Sequence, residues 1–238
     1  QHVAGDAIVV NSRIALAIRR GTAGIEVYSR GAAQLRCVLS PVAGAPARDV
    51  EAIRIVENTP SEVLLEARYR QPGQEPLALR FALGMGQPFV RAEADSASRW
   101  LSIESPSRFL VLPDFFADDI VVDAAEIPVS RAELPSENFM LHLLPGGESI
   151  VMTVAGTQDQ DARITLEGQG PQRRIARSEV GFGKQRRVWV ALLESPGVWH
   201  QRDVRLSEAD QQLGLEWTAP FLAQWRVNYR RTDRLINS

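Results

Sequence analysis

The 238 residues carry a formal net charge of −2, with 45% hydrophobic and 24% charged side chains. A chain of this length buries roughly 70–75% of its unfolded surface, enough for a core without disulfides or metals, and its near-neutral charge leaves no electrostatic footprint for nucleic acid. The longest apolar runs, Ile120–Val122 and Val188–Leu193, fall far short of the ~20 residues of a membrane helix, and the single cysteine, Cys37, excludes an intrachain disulfide and a cysteine-cluster zinc site.

In chain order, the predicted elements are strands almost throughout. Ala7–Val10, Ile14–Ile18, Gly24–Ser29 and Gln34–Leu39 come first, the last holding Cys37 as a small buried side chain. Pro41–Pro46 reads as a loop, and Ala52–Glu57 as the next strand. In "SEVLLEARYR", Val63, Leu65, Ala67 and Tyr69 share one face; in "LALRFAL", Leu77, Leu79, Phe81 and Leu83 do the same. This period-two alternation places apolar side chains on one side of a pleated strand. Phe89–Asp95, Arg99–Glu104, Arg108–Leu112 and Ile120–Asp123 follow, then a loop over Pro128–Pro135. Asn138–Leu143, Ser149–Val154, Arg163–Glu167, Arg173–Glu179, Arg186–Leu193 and the alternating "AQWRVNYRR" complete the series. Turn signals such as "GMGQP" and "LPGGES" separate the strands. One short helix is predicted over 206–217, capped by Ser207. About fifteen or more strands exceed an immunoglobulin-type sandwich. The expectation is an all-β fold, one large antiparallel two-sheet β-sandwich over 1–238. The start at Gln1 and the tail "RRTDRLINS" read as an exported protein freed of its leader, or as a piece of a longer chain.

Two stretches carry a family likeness. "IVVNSRIALAIRRGTAGIEVYS" runs Asn, strand, Gly-marked turn, strand, and "LALRFALGMGQPFVRAEAD" runs strand, GxGxP, strand. The pattern resembles the large β-sandwich, or supersandwich, domains of the galactose-mutarotase-like class, found in aldose epimerases, polysaccharide lyases and glycosidases. The resemblance implies the same fold and a sugar-related role. It does not carry over a catalytic site, because His2, His142 and His200 match none of the histidines that the family's mutarotases use.

The stretch "LPDFFADDIVVDA" (112–124) concentrates the candidate chemistry. Asp114, Asp118 and Asp119 offer clustered carboxylates of the kind calcium takes; no other cofactor is expected. Phe115 and Phe116, if exposed, present rings to a sugar. In the alternative, the phenylalanines plug the end of the sandwich and the aspartates are solvated turn residues. Glu126, Glu133 and Glu137 follow as possible partners for Asp114 in a carboxylate pair. Trp199 and His200 form a second ligand-binding candidate, while His142, on an apolar strand, reads as a hydrogen-bonded core residue. Arg173, Arg174, Arg177, Lys184, Arg186 and Arg187 form a basic run suited to an acidic polymer or an acidic protein face, or simply a solvated strand face. Three functions are compatible: a non-catalytic module binding carbohydrate or a protein partner, a carbohydrate-active enzyme using Asp/Glu chemistry, and a structural subunit that oligomerises through edge strands. The first needs an exposed aromatic strip, the second an acid-lined sheet face with histidine, the third open edges or large apolar patches.

Overall fold

A computed structural model describes residues 1–43, 45–46, 49–71, 73, 75–95, 97–113, 119–135, 138–156, 160–201, 207, 228–231 and 234–237. The strands are β1 (Ala7–Val10), β2 (Ile14–Ile18), β3 (Ile25–Ser29), β4 (Gln34–Ala43), β5 (Ala45–Pro46), β6 (Val50–Asn58), β7 (Glu62–Tyr69), β8 (Leu77–Gly84), β9 (Phe89–Ala94), β10 (Trp100–Glu104), β11 (Phe109–Leu112), β12 (Ile120–Asp123), β13 (Arg131–Leu134), β14 (Phe139–Leu143), β15 (Ser149–Ala155), β16 (Ala162–Glu167), β17 (Arg174–Gly181), β18 (Arg187–Glu194), β19 (Asn228–Arg231) and β20 (Arg234–Asn237). Two short 3-10 turns, Ala124–Glu126 and Gly170–Gln172, interrupt them. Among the described residues no helix is long and apolar enough to cross a membrane. The predicted helix over 206–217 lies outside the described residues except for Ser207.

Two nine-stranded antiparallel sheets form the body. Sheet I has the order β1-β2-β3-β4-β10-β17-β16-β13, with β5 beside β4; sheet II has the order β12-β11-β14-β15-β18-β9-β8-β7-β6. The two-sheet sandwich expected from the alternation is the fold found. Leu65, Ala67 and Tyr69 on β7, and Leu77, Leu79, Phe81 and Leu83 on β8, all lie in the core between the sheets. From sheet I they meet Ile14, Leu16, Ile18, Leu39, Leu101 and Ile103. Cys37 is buried there as expected, and burial pushes its thiol up to about 12.

The two expected loops are corrected. β4 runs on through Pro41 to Ala43 and β5 returns beside it. The proline is tolerated because β3 flanks β4 only as far as Leu39, so a missing N–H there breaks no ladder on that side. Within Pro128–Pro135, Arg131–Leu134 form β13, which pairs with β16 at the edge of sheet I.

Polar side chains help to tie the sheets together. Asn11, in the β1–β2 turn, donates from Nδ2 to the carbonyls of Gly84 (2.7 Å) and Gln87 (2.9 Å). Its Oδ1 accepts from the backbone N–H groups of Arg13 and Ile14, each at 2.8 Å. The two stretches that carry the family likeness therefore clasp each other, and Gly86, at φ +72°, supplies the left-handed residue that the β8–β9 turn requires. His142 on β14 is fully buried between Ser107 and Ser178, with Nδ1 and Nε2 each 2.9 Å from a hydroxyl. Glu194, at the end of β18, accepts from Ser29 and Arg36 of sheet I and from Ser149 of its own sheet.

The half of sheet II that holds β6–β9 has a charged outer face. Register sets Arg54, Glu66, Arg80, Glu93 and Arg187 opposite one another across β6, β7, β8, β9 and β18. Glu66 pairs with Arg54 and Arg80 at 3.1 Å, and Glu93 with Arg187 at 3.3 Å. Burial pushes the Glu66 carboxyl up, but the hydrogen bonds from Arg80 and Arg54 outweigh it and hold the group below the usual carboxylate range.

Tyr69 is fully buried and its hydroxyl has no hydrogen-bond partner among the described residues. An unpaired buried hydroxyl costs about 1–3 kcal/mol. Tyr69→Phe is therefore expected to leave stability unchanged or raise it by about 1 kcal/mol, read from a thermal melt. A loss of more than ~1 kcal/mol would show that the hydroxyl has a favourable role.

Candidate functional site

A polar surface lies on the outer face of sheet I. Leu101 and Ile103 of β10, Ile164 of β16 and Val180 of β17 point into the core. Alternation therefore turns Trp100, Ser102, Glu104, Arg163, Thr165 and Glu179 outward. Register aligns Ser40, Ser102, Glu179 and Arg163 in one row across β4, β10, β17 and β16, with Glu133 of β13 next in line.

Although it faces outward, Glu179 is only 4% exposed. Arg163 pairs closely with its Oε2, and the Arg177 Nε lies 3.5 Å from its Oε1. The Arg163 guanidinium also sits 4.4 Å from the centroid of the Trp100 ring. One arginine thus joins an aromatic face to a carboxylate through cation–π and charge-assisted hydrogen bonding. Ser102 is 1% exposed and its Oγ has no hydrogen-bond partner among the described residues.

Along the same face, a groove of about 430 Å³ is lined by Arg36, Glu104, Thr165, Glu167, Arg174 and Arg177 among others. Arg36 is already committed to Glu194 at 2.7 Å. Glu104, Glu167 and Arg174 make no ion pair among the described residues. The surface therefore offers a ring, fixed donors and acceptors, and unspent charged groups of both signs. Such a set can hold a polyhydroxylated ligand by hydrogen bonds and by stacking on an apolar sugar face.

The residues singled out from sequence fall elsewhere. Asp114, Phe115, Phe116 and Asp118 lie outside the described residues, as does Glu137; Asp119 is described and exposed. Among the described residues no three His, Cys, Asp or Glu side chains gather as a metal site. Trp199 is half-buried: its Nε1 donates to the Leu144 carbonyl at 2.9 Å, and its ring meets Phe109 edge-on at 6.2 Å. His200 beside it is exposed. Phe109 pairs with Asp123 and Leu112 with Ile120, so Trp199 and Asp119 belong to opposite ends of the β11–β12 hairpin, roughly 10 Å apart along the strand. The structure does not bring these two candidates together. The basic run is also divided. Arg174 and Arg177 face the groove, Arg187 joins the ladder on sheet II, and Arg173 and Arg186 donate to backbone carbonyls. The trio of Trp100, Arg163 and Glu179 was missed by sequence reasoning; the outward alternation of β10, β16 and β17 was its only signal.

The outer face of sheet II changes character beyond β9. Val121, Val111, Leu141, Met152, Ala191 and Phe89 form one cross-strand row from β12 to β9. Phe139, Val154 and Trp189 form the row above it, and Phe109, Leu143, Ile150 and Leu193 the row below. None of these side chains belongs to the core between the sheets. Phe139 is 42% exposed and Val121 48%.

No family model matches the sequence, and no curated protein matches it significantly. The fold is nonetheless similar to domains of known structure. A glycoside hydrolase family 81 protein from Clostridium thermocellum aligns at TM-score 0.51 and 10% identity, covering 79% of this chain and 22% of that one. An alpha-N-acetylgalactosaminidase from Bifidobacterium bifidum aligns at TM-score 0.51 and 12% identity, covering 79% and 36%. An alpha-mannosidase from Enterococcus faecalis aligns at TM-score 0.50 and 8% identity, covering 80% and 29%. At such identities the likeness establishes the fold alone. The chain spans about a fifth to a third of the length of these proteins.

Proposed function

We propose that the chain is a non-catalytic β-sandwich module that binds carbohydrate on the outer face of sheet I. The observation that carries this reading is the Trp100–Arg163–Glu179 trio beside the groove. The ring offers a stacking face, and the ion pairs hold their hydrogen-bonding atoms in fixed positions. The presence of a similar fold inside longer proteins named as carbohydrate hydrolases supports a saccharide as the ligand class. Binding is favoured over catalysis because Glu179, the most buried acid of this face, is held between two guanidiniums. The buried histidine, His142, lies between the sheets with both ring nitrogens hydrogen-bonded and cannot reach a ligand here.

The test is a glycan array followed by calorimetry on the best ligand. Trp100→Ala is expected to weaken binding at least tenfold, in line with the loss of a buried aromatic anchor of about 2 kcal/mol. Binding that survives unchanged in Trp100→Ala would move the site off this face. The groove carboxylates Glu104 and Glu167 are the observation that favours the alternative, a carbohydrate-active enzyme. Sugar release that vanishes in Glu104→Gln while binding persists would establish it.

A further inference from the structure

We infer that Arg163 gates the proposed saccharide site: its guanidinium occupies the place on Trp100 that a sugar ring would take, and a ligand binds by displacing it. The inference rests on the reading of this face as the binding surface. Trp100 on β10 stands opposite Gly181 of β17, and Arg163 on β16 stands opposite Glu179 of the same strand. Gly181 puts no side chain between the indole and the arginine. The guanidinium centre lies 4.4 Å from the ring centroid, which is stacking contact. A sugar and a guanidinium both approach an indole along the normal to its face, so that face holds one or the other. The same side chain pairs closely with Oε2 of Glu179. Arg163 therefore fills both the stacking place and the acceptor of the trio.

The contact is built so that it can open. The Arg163 side chain is 40% exposed, whereas that of Glu179 is 5% exposed, so the arginine can swing into water while the carboxylate stays fixed. An exposed cation–π contact and a part-exposed ion pair are each weak. Glu179 is not stranded when Arg163 leaves, because the Arg177 Nε remains 3.5 Å from its Oε1, and Oε2 becomes free to accept from a ligand hydroxyl. Ser102 stands next to Glu179 in the cross-strand row. Its buried Oγ has no hydrogen-bond partner among the described residues, which adds a second polar group beside the vacated place. The binding-competent population is the fraction with Arg163 displaced, and the apparent affinity is lowered by that fraction. The gate also selects. A ligand that only stacks regains the ring contact but leaves Oε2 bare, whereas one with a hydroxyl beside its stacking face replaces both contacts of Arg163.

Calorimetry with neutral hexasaccharides of glucose, mannose and galactose tests this on the full chain. Wild type is compared with Trp100→Ala, Arg163→Ala and the double variant Arg163→Ala/Glu179→Gln, which removes the buried carboxylate together with its partner. Circular dichroism and melting temperature are measured alongside, and the double variant decides if Arg163→Ala does not fold. The expected result is binding at least fivefold tighter than wild type in both Arg163 variants and at least tenfold weaker in Trp100→Ala. Binding that is detected only once Arg163 is removed supports the gate equally. Affinity unchanged or weakened in the Arg163 variants, with Trp100→Ala still weakening it, overturns the gate and leaves the site standing. Binding indifferent to Trp100→Ala, or no binding by any of the four proteins, overturns the reading of this face and the gate with it.

Discussion

Replacing Asn11 with alanine is expected to lower stability by about 3 kcal/mol, because four hydrogen bonds to one side chain vanish at about 0.5–1.5 kcal/mol net each. The carbonyls of Gly84 and Gln87 lose their Nδ2 donor, and the N–H groups of Arg13 and Ile14 lose their acceptor. The aspartate variant separates the two halves of the clasp. Asn11→Asp keeps the acceptor for Arg13 and Ile14 but turns a carboxylate oxygen toward two carbonyl oxygens. It is expected to be at least as damaging as alanine despite the nearly identical shape. Urea denaturation of the three proteins decides the matter. A loss below ~1 kcal/mol for both variants would mean that the clasp contributes no more than one ordinary hydrogen bond.

The second large effect depends on pH. Burial pushes the His142 imidazole from 6.5 down to about 4. Above pH 6.5 the imidazole is neutral in both folded and unfolded chains, and its stabilising role is fully present. Between 6.5 and about 4 the unfolded chain takes up the proton and the folded chain does not, so acid favours unfolding. At 1.36 kcal/mol per pH unit, the loss through this one residue amounts to about 3 kcal/mol by pH 4. Carboxylates titrate over the lower part of that range, so the measurement is comparative. His142→Gln can still hydrogen-bond to Ser107 or Ser178 but does not titrate. Its stability should fall less steeply than wild type between pH 6.5 and 5 in denaturant titrations. Equal slopes would remove His142 as the source.

Much of the sandwich was legible because its strands are long enough to show their alternation. β7 and β8 display the inward set Leu65, Ala67, Tyr69 and Leu77, Leu79, Phe81, Leu83 without ambiguity, and all seven are in the core. β13 was not legible, since its four residues Arg131–Leu134 lie between Pro128 and Pro135 and form a polar edge. The stretch of β4 beyond Leu39 was hidden by Pro41, which is forbidden only where a neighbour needs its N–H.

The candidate site was much less legible, for a different reason. Arg163 and Glu179 lie on the consecutive strands β16 and β17, Trp100 lies on β10 far before them in sequence, and register makes the three neighbours. Nothing in the local pattern of any one strand gives that register. The basic run from Arg173 to Arg187 shows the opposite error. Its members are adjacent in sequence, but alternation and a change of sheet send Arg177 to one outer face and Arg187 to the other.

The row of alternating charge across β6, β7, β8, β9 and β18 also bears on how the chain avoids folding wrongly. A strand that slips by one residue exchanges its two faces. In β7 that slip would drive Glu66 into the core and leave its arginines on β6 and β8 opposite apolar residues. Burying an unpaired charge is among the costliest errors a chain can make. A slip by two residues keeps the faces but sets Glu66 beside Ala78 or Ala82, again breaking both of its ion pairs. The correct pairing is thus separated from its near neighbours by a penalty on several strands at once. The row acts as a proofreading mark written across the sheet, where uniformly apolar strands would pair almost equally well in several alignments.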